Sequence, residues 1–225
     1  MFLFSCKKEV ETPKVIYENP SKVVIVPIDD TTKIEVADLP IQMDGTNFLL
    51  FPIGKLSVSD KNYDSSSRGG NQLNYKVSNY SEYQITGYLR NLKMQQIGKD
   101  SIKTLTDKDI VIQSITYLKS IADKTKQQIL VYVIEDMDTN KDLILDDNDI
   151  KCLYLSEISG NRFVKISVDF QELIDWNIVE SINRLYFRTI EDTDKNGKFD
   201  KKDKLHYHFI NLSNKDWKSN EYNPI

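Results

Sequence analysis

The chain has 225 residues, a formal net charge of −4 and no run of about 18 apolar residues. The sequence therefore contains no transmembrane helix and gives no sign of a general nucleic-acid-binding protein. Tyr, Ile, Val and Thr are plentiful while Ala is scarce, which favours strands over helices. We divide the chain into an N-terminal region, residues 1–21, and one domain, residues 22–225.

The N-terminal region contains a candidate lipid attachment site. The letters LFSC at residues 3–6 are followed by polar residues, and they resemble the lipobox of bacterial, Bacteroidetes-like lipoproteins. The resemblance implies a lipid on Cys6 that anchors the protein to the bacterial outer membrane, on its periplasmic or its cell-surface side. Only five residues precede Cys6, fewer than a signal peptide needs, so either the start codon is placed too late or the match is accidental.

Residues 7–21 are polar and include Pro13 and Pro20, without a helical or strand period, which predicts an extended tether. Beyond the tether, short apolar segments separated by turn residues predict one strand after another. The clearest predicted strands are residues 22–28, 47–58, 109–120 and 128–136. The last of these is continuously apolar, so we expect it to be buried on both faces. Residues 59–72 predict a polar loop.

The second half of the domain contains an internal repeat. Residues 130–155 and 185–209 each run from an apolar strand through the letters IED into an acidic loop and then into another apolar strand. Aligning Asp138 with Asp192 gives a period of 192 − 138 = 54 residues. Such a period, with several short strands per unit, is typical of β-propeller blades. The segment LYLSEISGNRFVKIS resembles a TolB-type propeller repeat, which implies a partial or irregular propeller of about three four-stranded blades.

The second acidic loop, residues 192–203, has the spacing of a metal cage. Its twelve positions resemble an EF-hand-type calcium loop, in which oxygens from alternate residues surround Ca²⁺ and a glycine at position 6 permits a sharp turn. The resemblance implies ligands at positions 1, 3, 5, 7, 9 and 12. These are Asp192, Asp194, Asn196, Lys198 through its carbonyl, Asp200 and Asp203, with Gly197 at position 6. Lysines occupy only positions 4, 7, 10 and 11, where side chains point outward, which favours a cage over a solvated charge run.

The first acidic loop, residues 138–149, fits the same frame. Its implied ligands are Asp138, Asn140, Asp142, Ile144 through its carbonyl, Asp146 and Asp149. Leu143 replaces the glycine at position 6, and because leucine resists a positive φ we expect weaker binding or a different turn. The apolar residues at position 8, Leu145 and Phe199, are expected to anchor each loop to the core. Asp136 is an alternative starting ligand or an outer one.

Both loops end in Asp instead of Glu and lie between strands instead of helices. The helix-opening mechanism of calcium sensors therefore has no counterpart, and we expect structural Ca²⁺ sites with affinities of about 10⁻⁶–10⁻³ M. No catalytic constellation is found in the sequence. His206 and His208 share one strand face without an evident third metal ligand, and Cys152 is expected to be a buried strand thiol.

The sequence thus predicts an envelope-anchored, calcium-stabilised, non-catalytic binding or scaffold lipoprotein with an unknown protein or glycan partner. A carbohydrate-binding accessory protein of a glycan-uptake system is the alternative. An exposed cluster of tryptophan and tyrosine side chains on a concave face would favour the alternative, although core packing is the expected role of Trp176 and Trp217.

Overall fold

The structure, a computed structural model, describes residues 13–17, 33–57, 75–214 and 216–225. These residues form two antiparallel β-sheets and one short α-helix. The strands of the larger sheet are β1 (Lys33–Ala37), β2 (Ile41–Gln42), β3 (Phe48–Ser57), β4 (Ser78–Ser81), β5 (Gln84–Gln96), β6 (Ile102–Thr104), β7 (Val111–Tyr117), β8 (Ile129–Glu135), β9 (Lys151–Glu157) and β10 (Val164–Lys165). The strands of the smaller sheet are β11 (Gln171–Val179), β12 (Arg184–Glu191), β13 (Lys204–Asn211) and β14 (Asn220–Tyr222).

The larger sheet has ten strands, and its main path runs β1-β3-β5-β7-β8-β9-β10. The three remaining strands pair along its border, β2 with β3 and both β4 and β6 with β5. The smaller sheet is a meander in the order β11-β12-β13-β14. Each acidic loop connects two paired strands, the first joining β8 to β9 and the second joining β12 to β13.

Two apolar cores explain why the sequence of β8 is an almost continuous apolar run. Leu130, Tyr132 and Ile134 pack into a core on one face of the larger sheet. Ile129 and Val131 point to the opposite face, where they pack with Leu185 and other residues of the smaller sheet. The prediction that this strand is buried on both faces is therefore confirmed, and burial of these side chains holds the two sheets together.

The prediction of an all-β fold is confirmed, whereas three four-stranded blades are not found. Strands β1 to β10 belong to one sheet, and neither sheet closes within the part of the chain that the structure describes. The 54-residue repeat corresponds to two antiparallel strand pairs with an acidic loop between them, and these pairs lie in different sheets. A repeat of this kind fixes the local pairing but not the number of strands that add to each sheet.

The sequence pattern also missed a helix. The alternating segment 109–120 was predicted as one strand, yet β7 ends at Tyr117 and α1 (Lys119–Thr125) begins two residues later. The segment 170–179, whose sequence fits either a helix or a strand, is mostly the strand β11. The predicted strand 22–28, the loop 59–72 and Cys6 lie outside the described residues. No helix among the described residues is long and apolar enough to cross a membrane.

Candidate metal centre

The second acidic loop brings three carboxylates together. One oxygen each from Asp192, Asp194 and Asp203 lies within 4.8 Å of the others. Asp192 is buried, Asp203 is half-buried and Asp194 is exposed, so the group opens toward solvent on one side. Among the described residues no other set of three acidic, histidine or cysteine side chains converges in this way. The group can hold a metal ion, and its oxygen atoms are those that hard divalent cations prefer.

Backbone amides of the second loop hold these carboxylates in place. The Gly197 amide donates to Asp192 Oδ2 at 2.7 Å, and the Asp200 amide donates to Asp203 Oδ2 at 2.7 Å. The Thr193 amide donates to Asp203 Oδ1 at 3.0 Å. These bonds connect the beginning of the loop to its end, so the carboxylates at positions 1 and 12 are oriented by the loop itself before any ligand binds.

The first loop repeats this hydrogen-bond register position by position. The Leu143 amide donates to Asp138 Oδ2 at 2.9 Å, as position 6 does to position 1 in the second loop. The amides of Thr139 and Asp146 donate to the two oxygens of Asp149 at 2.7 and 3.1 Å, as positions 2 and 9 do to position 12. The two loops therefore adopt one closed conformation, although their sequences differ at seven of the twelve positions.

The backbone dihedral angles of the loops agree equally well. Lys141 and Lys195, at position 4, have φ of 58° and 54°. Leu143 and Gly197, at position 6, have φ of 74° and 81°. Leu143 thus adopts the turn of a glycine instead of a different one, at a cost of about 1–2 kcal/mol for an L-residue with a side chain. The expectation of a different turn is wrong, while the expectation of weaker binding stays a prediction.

The remaining predicted ligands have local hydrogen bonds that are also shared by the loops. At position 5, Asp142 Oδ1 and Asn196 Oδ1 accept from the amides of Ile144 and Lys198, both at 2.8 Å. At position 9, the oxygens of Asp146 and Asp200 accept from the amides two residues later, also at 2.8 Å. At position 3, Asn140 Oδ1 accepts from the Asp142 amide at 2.9 Å. The Asn140 carboxamide is why the first loop has no triad of carboxylates.

An unpartnered oxygen marks the interior of the first loop. Asp138 Oδ1 is buried and has no hydrogen-bond partner among the described residues, although Oδ2 of the same carboxylate accepts from Leu143. Asp149, at the other end of the loop, is fully buried, and burial raises the pKa of its carboxyl group. A buried carboxylate oxygen without a donor is costly, and a bound cation would remove that cost.

In the second loop, the lysine side chains point outward and the apolar side chain points to the core, as the spacing predicted. Lys195, Lys198 and the lysines at positions 10 and 11 are exposed, and Phe199 packs against the first core. Asp136 is no loop ligand, because its carboxylate accepts from Lys165 Nζ at 2.9 Å and from Tyr154. Burial alone would raise the pKa of Asp136, but these two donors outweigh it and hold the pKa below the ordinary value.

The structure adds one element that the sequence pattern did not reveal. Residues Pro13–Tyr17, which we call the strap, lie across both acidic loops. The Lys14 amide donates to the Gly197 carbonyl at 2.7 Å, and the Ile16 amide donates to the Thr139 carbonyl at 2.9 Å. Val15 is 2% exposed and belongs to the first core. The strap therefore connects the loop of one sheet to the loop of the other.

The histidine pair is buried and does not form a metal site. His206 lies between two carboxylates, with Nε2 2.9 Å from Glu191 and Nδ1 2.8 Å from Glu221. His208 stacks on Phe187, and burial lowers the pKa of its imidazole. Both ring nitrogens of His206 are occupied by carboxylate partners on opposite sides of the ring. The two histidines therefore join β12, β13 and β14, and a zinc site is not supported.

Cys152 is buried in β9, as predicted, and forms no disulfide with any described residue; burial raises the pKa of its thiol to about 12. Trp217 is buried and Trp176 packs against the second core, so the tryptophans do not form an exposed platform. Comparisons of the chain with protein-family models, with curated protein sequences and with solved structures gave no match.

Proposed function

We propose that this protein is a non-catalytic binding or scaffold protein of the bacterial envelope whose domain is stabilised by Ca²⁺ in the two acidic loops. One observation carries the proposal. Two loops 54 residues apart in sequence share the same closed hydrogen-bond register, and in each loop backbone amides orient the carboxylates at positions 1 and 12. The spacing in sequence and the geometry in space therefore favour the same ligand.

Electrostatics support a requirement for a cation in the second loop. Three carboxylates within 4.8 Å of one another repel each other by about 1 kcal/mol per pair in water and by about 3 kcal/mol at an effective dielectric constant near 20. The amide donors to Asp192 and Asp203 offset some of this repulsion. A divalent cation would convert it into attraction, so the native state should bind Ca²⁺ while the unfolded chain should not.

The nature of the ligands favours Ca²⁺ over other metals. All side-chain ligands in both loops are carboxylates or carboxamides, with no cysteine or histidine among them. Soft-ligand metals such as Zn²⁺ therefore lack their preferred partners, and a twelve-residue loop of this spacing suits the larger, irregular shell of Ca²⁺ better than the octahedron of Mg²⁺. The ligands would be the residues named above at positions 1, 3, 5, 7, 9 and 12.

Thermal unfolding with and without Ca²⁺ tests the proposal. At a Ca²⁺ concentration 100 times the Kd, binding should stabilise the native state by about 2.7 kcal/mol, which raises Tm by about 6 °C for a chain of this length. The double variant Asp192→Asn with Asp203→Asn should lose the second loop's share of this response, whereas the exposed Asp107→Asn should keep all of it. An unchanged Tm in millimolar Ca²⁺, together with no heat of binding in a calorimetric titration, would refute the proposal.

Attachment to the outer membrane through a lipid on Cys6 is part of the same proposal, and it rests on the sequence alone. The full-length precursor, expressed in a bacterial host, should fractionate with membranes. Cys6→Ser should release it into the soluble fraction, and Cys152→Ser is the matched control because that thiol is buried. Equal distribution of all three proteins between the fractions would contradict lipidation.

One observation favours the second candidate function, carbohydrate binding. Tyr75 and Tyr80 are exposed and, with Leu39, line a cavity of about 540 Å³ beside β1. Tyrosine rings exposed in this way could stack on sugar faces. Titration with oligosaccharides by calorimetry, using Tyr80→Ala against the distant Tyr186→Ala as control, tests this candidate, and no binding of any glycan tested would count against it.

A further inference from the structure

We propose that the strap, residues Pro13–Tyr17, is coupled to the metal sites, so that Ca²⁺ in the loops favours strap docking and strap docking strengthens Ca²⁺ binding. The inference rests on the calcium binding proposed above, and it adds that docking of the strap regulates the affinity for Ca²⁺. It would make the position of the N-terminal tether depend on Ca²⁺.

In the first loop, the strap forms hydrogen bonds with a residue that lies between two proposed ligands. Thr139 follows Asp138, and its carbonyl accepts from the Ile16 amide at 2.9 Å. The Thr139 hydroxyl donates to the Lys14 carbonyl at 2.8 Å, while its amide donates to Asp149 at 2.7 Å. The residue that binds the strap on one side thus orients the position-12 carboxylate on the other. A loop that opens would lose both sets of bonds together.

In the second loop, too, the residue that binds the strap also orients a proposed ligand. The Gly197 carbonyl accepts from the amides of Lys14 and Val15 at 2.7 and 3.4 Å, while the Gly197 amide donates to Asp192 at 2.7 Å. The fit against the strap is close, since a Cβ on Gly197 would lie 2.5 Å from the Val15 carbonyl oxygen. Strap docking therefore requires the turn that also places Asp192.

Tyr17 connects the strap directly to the second loop. Its ring centroid lies 5.9 Å from Lys195 Nζ and 6.2 Å from that of the Phe170 ring. Lys195 lies between the proposed ligands Asp194 and Asn196, so this contact joins the strap to the part of the loop that would surround the ion.

Lys14 brings a charge to the junction between the sheets. Its ammonium group donates to Glu172 Oε1 at 2.8 Å and to the Asp149 carbonyl at 3.2 Å. Glu172 is buried on β11 and also forms an ion pair with Lys151 of β9. Displacement of the strap would leave Glu172 with one cation instead of two, so strap docking and closure of the sheet junction favour each other.

Amide hydrogen exchange of the wild-type chain, with Ca²⁺ or with chelator, tests the coupling. The strap amides should exchange at least about fivefold more slowly with Ca²⁺, a typical size for coupling between two sites. The amides of β8 are the internal reference for global stabilisation. Slowing of the strap beyond that of β8 supports the proposal, whereas Ca²⁺ binding without such slowing overturns it and leaves the proposed function intact. Absence of Ca²⁺ binding refutes both.

Two pairs of variants, each with a matched control, test the coupling from the strap and from the loop. Tyr17→Ala removes the ring contacts and should weaken Ca²⁺ binding by about fivefold, whereas Tyr80→Ala, on the distant β4, should not. Gly197→Ala and Gly98→Ala suffer the same backbone strain, because their φ values are +81° and +83°, but only the first methyl group meets the strap. Faster strap exchange in Gly197→Ala alone supports the proposal. Equal effects within both pairs would overturn it.

Discussion

Replacing Glu135 by glutamine is expected to stabilise the protein by an amount that grows with pH. Glu135 ends β8 and is fully buried. Its Oε1 accepts from Gln113, whereas Oε2 has no partner among the described residues. Burial raises the pKa of this carboxyl group from 4.5 to about 8, and the neighbouring lysines, Lys14 and Lys151, offset only part of the effect.

The direction in which pH changes the free energy of unfolding follows from proton linkage. Between pH 4.5 and about pH 8 the native state keeps a proton on Glu135 that the unfolded chain has lost, so the free energy of unfolding falls as pH rises through this range. The cost is about 3 kcal/mol at pH 7 and about 5 kcal/mol above pH 8, at 1.36 kcal/mol per pH unit. Glutamine is neutral at every pH and keeps the oxygen that accepts from Gln113, so it avoids this cost.

Urea denaturation at pH 5, 6, 7 and 8, with Ca²⁺ held constant, measures the effect. The difference in unfolding free energy between Glu135→Gln and wild type should be small at pH 5 and should rise by about 3 kcal/mol by pH 7. Glu35→Gln, at an exposed position of β1, is the control and should show no such rise. A difference that is independent of pH would mean that the native carboxyl titrates normally, and the reasoning from burial would be refuted.

Three further predictions follow from single side chains. Leu143→Gly should stabilise the protein by up to about 1 kcal/mol in urea, because a glycine relieves the strain at φ 74° and the leucine is exposed; destabilisation would contradict this. Cys152, in a Cys6→Ser background, should react with iodoacetamide at pH 8 only after unfolding, as judged by mass spectrometry, and rapid native labelling would contradict its burial. Lys165→Met should cost about 3–5 kcal/mol at pH 7, because it leaves Asp136 buried without its cation. It should cost less near pH 3, where protonation of Asp136 removes the charge, and equal costs in urea at both pH values would exclude this mechanism.

The sequence allowed the local features of the candidate site to be predicted. Alternating acids in a twelve-residue frame, with lysines only at outward positions, indicated two closed loops between strands, and their hydrogen bonds agree with that frame. The continuous apolar run of β8 indicated burial on both faces, because each alternate side chain enters a different core. Both features depend on spacing along one segment, which a single sequence contains in full.

The strap and the sheet arrangement could not be predicted in this way. Residues 13–17 include only two aliphatic residues, Val15 and Ile16, and their hydrogen bonds go to loops more than 120 residues away. Nothing in the strap's own sequence distinguishes it from a solvated tether. Likewise, the repeat indicated two similar strand pairs but not that they belong to different sheets, because pairing between distant strands is decided by packing.

The placement of the loops suggests what bound Ca²⁺ would do here. Each loop closes a strand pair in a different sheet, and the strap and the Glu172–Lys151 ion pair join these two places. An ion in either loop would therefore stabilise the junction between the sheets, where the buried carboxyl groups of Glu135 and Glu172 lie. No pair of helices flanks the loops that could open and expose a groove, so the expected output of Ca²⁺ is stability and strap position instead of a new binding surface. Partner recognition would then depend on surfaces that the closed junction holds in place, and these surfaces should lose affinity for a partner when Ca²⁺ is removed.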